Sequence, residues 1–238
     1  MHTGKQLRGS LLLLLTAMIW GAGFVAQSAG MEYVGPVTMQ ACRFTLAGLT
    51  LLPVLALRRT GAKSPRRMPP AGARRALCCG GVCGLLLFGG STLQQFGLLH
   101  TTVGKSGFIT ALYILMVPLL GLFLHQKPGR RIWICVPLAL VGLYLLCLSG
   151  GDSGVNTGDL LTLACALFFA LHILYIDRVG ASVDGIRFSC VQFFVTALLS
   201  ALCMLLWESP SWHAIRSCWL PILYAGVLSG GVAYTLQI

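Results

Sequence analysis

Two ionisable side chains stand inside otherwise apolar runs, Arg43 and His172. A charge at the centre of a membrane span costs about 2.5–3.5 kcal/mol on insertion scales, so Arg43 must face a bundle interior, a cavity or a partner. It lies about 10 Å from the outer end of its helix. Two roles are open for it: attraction of a solute carboxylate, or hydrogen bonding to helix-end carbonyls with the head snorkelling outward. His172, with Tyr175 just beyond it, has an unperturbed pKa near neutrality and could take up a proton to couple a gradient. A neutral histidine bonded between helices is the other reading. Trp20 sits near the middle of the first run rather than at an interface belt. There it either stacks on an apolar solute or packs in the core. Gln27, Gln94, Gln95, Gln192, Gln237, Tyr113 and Tyr234 add neutral polar groups that need partners inside a membrane. The candidate solute-binding set is Trp20, Arg43, Gln94, Tyr113, His172, Tyr175 and Tyr234, lining a weakly charged cavity for a small polar or amphipathic solute.

Other strings imitate enzymes without their context. Gly151-Asp152-Ser153-Gly154 matches a serine-protease nucleophile segment, but falls in a turn between two apolar runs with no His–Asp frame. Gly104-Lys105-Ser106 lacks the Gly five residues earlier that a phosphate loop needs; Leu99 is there. Leu228-Ser229-Gly230, with His172 as base, is the sketch of an intramembrane hydrolase, a minor alternative. Of the ten cysteines, Cys78, Cys79 and Cys83 cluster, yet no His or second Cys pair stands at zinc spacing. They are expected to be small apolar packing residues. No catalytic residue, metal or cofactor is expected.

The elements that must hold these residues follow from composition. The chain has 238 residues, 56% apolar and 10% charged, with a mean hydropathy of +0.83. A soluble domain carries about 25% charged residues, and no water-soluble globule hides this much apolar surface. A soluble enzyme, a nucleic-acid-binding domain and a disordered chain are excluded. The fold class expected is an all-α integral membrane protein, a polytopic helical bundle. Eight runs are long enough for a span of about 20 residues: Gly9–Ala29, Pro36–Leu57, Leu77–Leu98, Val103–Leu124, Ile132–Ser149, Gly158–Ile176, Asp184–Leu206 and Cys218–Ile238. They are too long and too uniform for barrel strands. The first is too long for a typical signal core and is read as an uncleaved helix.

With a cytoplasmic N-terminus, fourteen Lys and Arg residues fall in inner segments, seven of them between Arg58 and Arg75, while Lys105 and Arg216 fall outside. The positive-inside rule selects that orientation, in the plasma or bacterial inner membrane.

The chain also matches itself. At one offset of 149 residues, Gly9-Ser10-Leu11-Leu12 meets Gly158-Asp159-Leu160-Leu161, Met18-Ile19-Trp20-Gly21 meets Leu167-Phe168-Phe169-Ala170, and Gln40-Ala41-Cys42-Arg43-Phe44 meets Ser189-Cys190-Val191-Gln192-Phe193. After a shorter loop, Leu87-Phe88-Gly89-Gly90 meets Leu228-Ser229-Gly230-Gly231. The common order signals a repeat. Five spans per copy place the second copy in the membrane upside down, the inverted repeat typical of secondary transporters. The copies expected are residues 1–149, with five spans, and residues 150–238, with three. Because the sequence stops inside an apolar run, at Leu236-Gln237-Ile238, a longer chain of roughly ten spans is expected. Gly80-x-x-x-Gly84 and Gly226-x-x-x-Gly230 are strips for close helix approach or sliding.

Three segments resemble the EamA family of the drug/metabolite transporter superfamily. Trp20-Gly21-Ala22-Gly23-Phe24 is similar to its W-G-x-x-F. Gly35-Pro36 followed by Cys42-Arg43-Phe44 is similar to its P-x-x-x-x-x-x-R-F. Gly89-Gly90 and then Thr102 to Pro118 are similar to its short turn and proline-broken fourth helix. The family often ends that helix with Gly-Glu; His125-Gln126-Lys127 stands here instead. The resemblance implies ten helices in two repeats and transport of small metabolites, amino acids, sugars or toxic compounds among them. The expectation is therefore a secondary transporter, an exporter, working by alternating access. The alternative is a non-transporting membrane subunit or degenerate paralogue. The expected partners are the lipid bilayer and a small-molecule solute, with no nucleic acid; a homodimer is left open.

Overall fold

The computed structural model of the protein describes residues 2–60, 70–124, 129, 132–148, 154–180 and 183–234. Residues 61–69 of the basic connection, His125-Gln126-Lys127, Gly151-Asp152-Ser153 and the terminal stretch with Gln237 lie outside the described residues. Among the described residues there are helices and no strands. They are α1 (His2–Gly30), α2 (Pro36–Thr60), α3 (Pro70–Leu98), α4 (Val103–Ala111), α5 (Tyr113–Phe123), α6 (Ile132–Leu148), α7 (Thr157–Gly180), α8 (Gly185–Trp207), α9 (Trp212–Ser217), α10 (Trp219–Leu223) and a π-helix over Tyr224–Val232.

Every expected span has its helix. Six segments are long and apolar enough to cross a membrane, and Ile132–Gly142 and Trp219–Val232 are shorter apolar helices. Two spans are interrupted. The fourth breaks at Leu112, whose N–H bonds the carbonyl of Ile109 three residues back. That tight turn comes two turns before Pro118, which stays inside α5. The eighth opens into the wide π-helix, a form found mostly where function requires an irregular helix. Its Gly226, Gly230 and Gly231 press against a neighbour and leave no room for side chains.

The described chain forms two compact units. The first comprises Met1–Leu85 and Ser182–Ile238, the second Leu86–Ala181. Each draws helices from both sides of residue 150.

In the first unit α2 and α8 run antiparallel. Gln40 Nε2 donates to Ser200 Oγ at 3.0 Å, and the helices meet at Phe44 and Phe193, ring centroids 5.9 Å apart. These two are the residues paired by the 149-residue offset. Each helix of the pair receives a glycine strip. Gly80 and Gly84 of α3 lie against Val191 and Val195 of α8, where an added Cβ would come within 2.8 and 2.7 Å. Thr196 Oγ1 donates to the Gly84 carbonyl at 3.0 Å. Reciprocally, Gly226 and Gly230 of the π-helix lie against Leu46 and Ala47 of α2, with added Cβ atoms at 2.6 and 2.5 Å. Without apolar driving force between helices in lipid, such backbone approach supplies the packing.

In the second unit α4 and α5 pack against α7, α6 packs against α4 and α5, and the last part of α3 meets α4 and α7. α7 starts on a reciprocal cap: Asn156 Oδ1 accepts from Asp159 N at 2.8 Å, and Asp159 Oδ2 accepts from Asn156 N at 3.1 Å. The Thr101 hydroxyl donates to the same Asp159 carboxylate. Gly97 and Gly158 allow α3 and α7 to touch, since a Cβ on Gly158 would fall 2.6 Å from the Gly97 oxygen.

Candidate functional site

The predicted site residues divide between the units. Trp20, Arg43 and Tyr234 belong to the first; Gln94, Tyr113, His172 and Tyr175 belong to the second.

In the first unit a continuous file of side chains runs across four helical segments. Trp20 of α1 meets Tyr234 at 5.5 Å between ring centroids. Tyr234 stands edge-on to Phe193 of α8 at 4.9 Å. Phe193 meets Phe44 of α2, and the Arg43 guanidinium lies 4.5 Å from the Phe44 centroid. Aromatic pairs prefer such tilted and edge-on geometries, and an arginine over a ring face gains a cation–π attraction. Arg43 is 9% exposed. Its Nη1 donates to Gln27 Oε1 of α1, and Gln27 Nε2 donates to the Gly23 carbonyl at 3.0 Å. The glutamine is thus held by its own helix so that its oxygen faces the guanidinium. Trp20 Nε1 donates to the Ser229 carbonyl at 3.2 Å, which seats the indole against the π-helix. Ser229 Oγ sits beside Gly23, while His172, its imagined base, belongs to the other unit.

In the second unit Gln94 Nε2 donates to Thr110 Oγ1 at 3.4 Å, tying α3 to α4. Tyr113 stands edge-on to Phe169 at 6.5 Å. His172 is 4% exposed, and Tyr175 is half-buried.

Three features escaped the sequence reading. Glu208, just past α8, reaches back to the start of α2 and accepts from Val37 N at 2.9 Å, Thr38 N at 2.8 Å and Thr38 Oγ1 at 2.6 Å. Lys105, expected in an outer segment, is 5% exposed. Ser91 is fully buried on α3 with an unpaired hydroxyl. For Glu208 no local signal existed, because its partners are 170 residues away. Among the described residues no group of three or more His, Cys, Asp and Glu side chains could hold a metal ion, and Cys42, Cys78, Cys79, Cys83, Cys135, Cys165, Cys190, Cys203 and Cys218 are free thiols.

The family model of the EamA-like transporter family matches residues 7–148. The chain belongs to this family. EamA-like relatives include an uncharacterized transporter of Archaeoglobus fulgidus, 32% identical over 198 residues, or 83% of this chain and 58% of the relative. The uncharacterized transporter YvbV of Bacillus subtilis is 26% identical over 80% of this chain and 62% of its own. The uncharacterized inner membrane transporter YedA of Escherichia coli is 29% identical over 68% of this chain and 51% of its own. The chain therefore spans between half and two thirds of the length of these curated relatives. A solved crystal structure shares the fold, with a TM-score of 0.69 and 24% identity, covering 97% of this chain and 78% of that one. In this EamA-like protein, both Trp20 and Arg43 of the family-like segments enter the aromatic file, and both lie within the matched residues.

Proposed function

We propose that the protein is a secondary transporter of the plasma or inner membrane, an exporter of small metabolites such as amino acids or of drug-like compounds, working by alternating access. The observation that carries the site assignment is the file Trp20–Tyr234–Phe193–Phe44–Arg43, a row of rings ending on a buried cation. A row of rings that ends on a guanidinium suits an amphipathic solute whose anionic end meets that group. Family membership supports transport rather than catalysis.

The two sequence copies, 1–149 and 150–238, are read as inverted repeats. The α2–α8 crossing at Phe44 and Phe193 supports that reading, as does the reciprocal placement of the glycine strips. The strips offer backbone surfaces along which helices can shift with little side-chain obstruction. The charge asymmetry supports a cytoplasmic N-terminus.

The test is reconstitution of the complete protein in liposomes, with a panel of labelled amino acids, sugars and drugs under outward, inward and proton gradients. Uptake or release of at least one solute above empty liposomes is expected. Absence of flux across the panel in every gradient would end the transport reading.

A further inference from the structure

Many helical hydroxyls in this protein are satisfied locally: Thr16, Thr45, Thr50, Thr162, Thr196 and Ser200 each donate to the carbonyl four residues back. Ser91 does not: its Oγ is buried and has no hydrogen-bond partner among the described residues. One turn on, Gln95 is 1% exposed, and neither its amide nitrogen nor its amide oxygen has a partner among the described residues. Its sequence neighbour Gln94 is bonded to Thr110, and Gln27 and Gln40 are bonded to Gly23 and Ser200. The unpaired pair lies on one strip of α3 with Leu87, following the i, i+4 spacing of a helix face. Leaving a buried polar group without a partner is costly, and native proteins keep such groups only where something offsets the cost.

We propose that Ser91 and Gln95 form a polar subsite for the transported solute, specific for an uncharged head that presents a hydrogen-bond donor beside an acceptor, such as a carboxamide or adjacent hydroxyls. This rests on the transporter reading above. The chemistry follows from the groups. The glutamine amide offers one donor face and one acceptor face, and the serine hydroxyl offers either. A carboxylate or phosphate is acceptor-only and would leave Gln95 Oε1 without a donor. Residues 86–98 of α3 contain no charged side chain that would favour an ion there. A site built to bond such a head rejects analogues that lack it, because its own buried groups then stay unpaired.

The experiment uses the complete purified protein with Gln95→Met, Ser91→Ala and Gln94→Met. Methionine keeps the length of glutamine and removes both polar ends. Thermal unfolding without added solute comes first. Gln95→Met and Ser91→Ala are expected to leave the midpoint unchanged or higher, while Gln94→Met lowers it by stranding Thr110. Loss of stability in Gln95→Met equal to that in Gln94→Met would make Gln95 a structural residue and overturn the proposal.

Unfolding is then repeated with millimolar nicotinamide as the carboxamide probe, mannitol as the polyol probe and succinate as the anion. One of the uncharged probes is expected to stabilise the unsubstituted protein, and succinate is not. Its apparent affinity should fall about tenfold to a hundredfold in Gln95→Met, as for one or two lost hydrogen bonds. Stabilisation by neither uncharged probe, or stabilisation equal in Gln95→Met, overturns the subsite. The two readings fail separately. Flux of a solute with an unchanged KM in Gln95→Met removes the subsite and keeps transport. Probe binding that depends on Gln95, without any flux, keeps the subsite and removes transport.

Discussion

Glu208 holds the start of α2 through three hydrogen bonds, and replacing it with glutamine isolates what the charge contributes. One carboxylate oxygen accepts from Val37 N, the other from Thr38 N and the Thr38 hydroxyl, at 2.9, 2.8 and 2.6 Å. Val37 N and Thr38 N are among the donors that every helix leaves unsatisfied at its N-terminus. In Glu208→Gln the carbonyl can keep the two Thr38 bonds, but its NH2 then faces the Val37 N–H, donor against donor. The variant loses one bond outright and the charge assistance of the other two. Hydrogen bonds to a charged group are worth about 1.5–3 kcal/mol and helix caps about 0.5–2 kcal/mol. Glu208 is half-buried, so water replaces part of the loss. The expected destabilisation is about 2 kcal/mol, a fall of roughly 4–8 °C in the unfolding midpoint.

A second substitution checks the mechanism. At the start of α8, Asp184 caps its own helix by accepting from Arg187 N at 3.1 Å. Gly35 is the position 149 residues earlier, and a Cβ there would fall on the Glu208 carboxylate. Gly35→Asp alone should therefore destabilise. Combined with Glu208→Ala it should recover about 1 kcal/mol, because a local carboxylate then replaces the distant one. The assay is tryptophan fluorescence during a thermal ramp in detergent for the unsubstituted protein, Glu208→Gln, Gly35→Asp, Glu208→Ala and the Gly35→Asp/Glu208→Ala double variant. A change below 1 °C in Glu208→Gln, or additive losses in the double variant, would refute the reasoning.

Two further outcomes follow from the packing. Gly230→Ala puts a Cβ 2.5 Å from that of Ala47 and should cost about 1–3 kcal/mol, whereas Gly81→Ala, with nothing within 4 Å, should be neutral; paired unfolding midpoints decide it. Asp159→Ala removes both the reciprocal cap of α7 and the acceptor of Thr101, and should lower stability by about 1–2 kcal/mol, with faster amide exchange in the first turn of α7 than elsewhere in the helix.

How much of this was legible in the sequence depended on range. The spans were, because about 20 apolar residues in a row have few other uses. Arg43 stood out because a lone charge in such a run must have a purpose, and Phe44 and Phe193 were aligned by the repeat before they were seen to touch. A break in the fourth span was implied by the resemblance, but at Pro118; its place at Leu112 was not legible, since no glycine or proline stands there. Nor was the π-helix, whose glycines at 226, 230 and 231 read equally well as ordinary close-packing residues. Gln94 and Gln95 looked alike in the sequence. A rotation of about 100° per residue separates them, turning one amide to Thr110 and leaving the other unpaired. Lys105 is legible as an outer-segment charge but not as a buried one, because burial depends on segments that cover it from elsewhere in the chain.

The proposed path of the solute follows the row of rings that ends on Arg43. Its most direct test is flux through liposomes carrying the complete protein, comparing the unsubstituted form with Arg43→Gln and following the unfolding midpoint of both. The account predicts measurable flux that falls at least tenfold in Arg43→Gln, as when a charge-assisted contact to the solute is lost, while the midpoint moves by only a few degrees. Unchanged rate and KM in Arg43→Gln would contradict it.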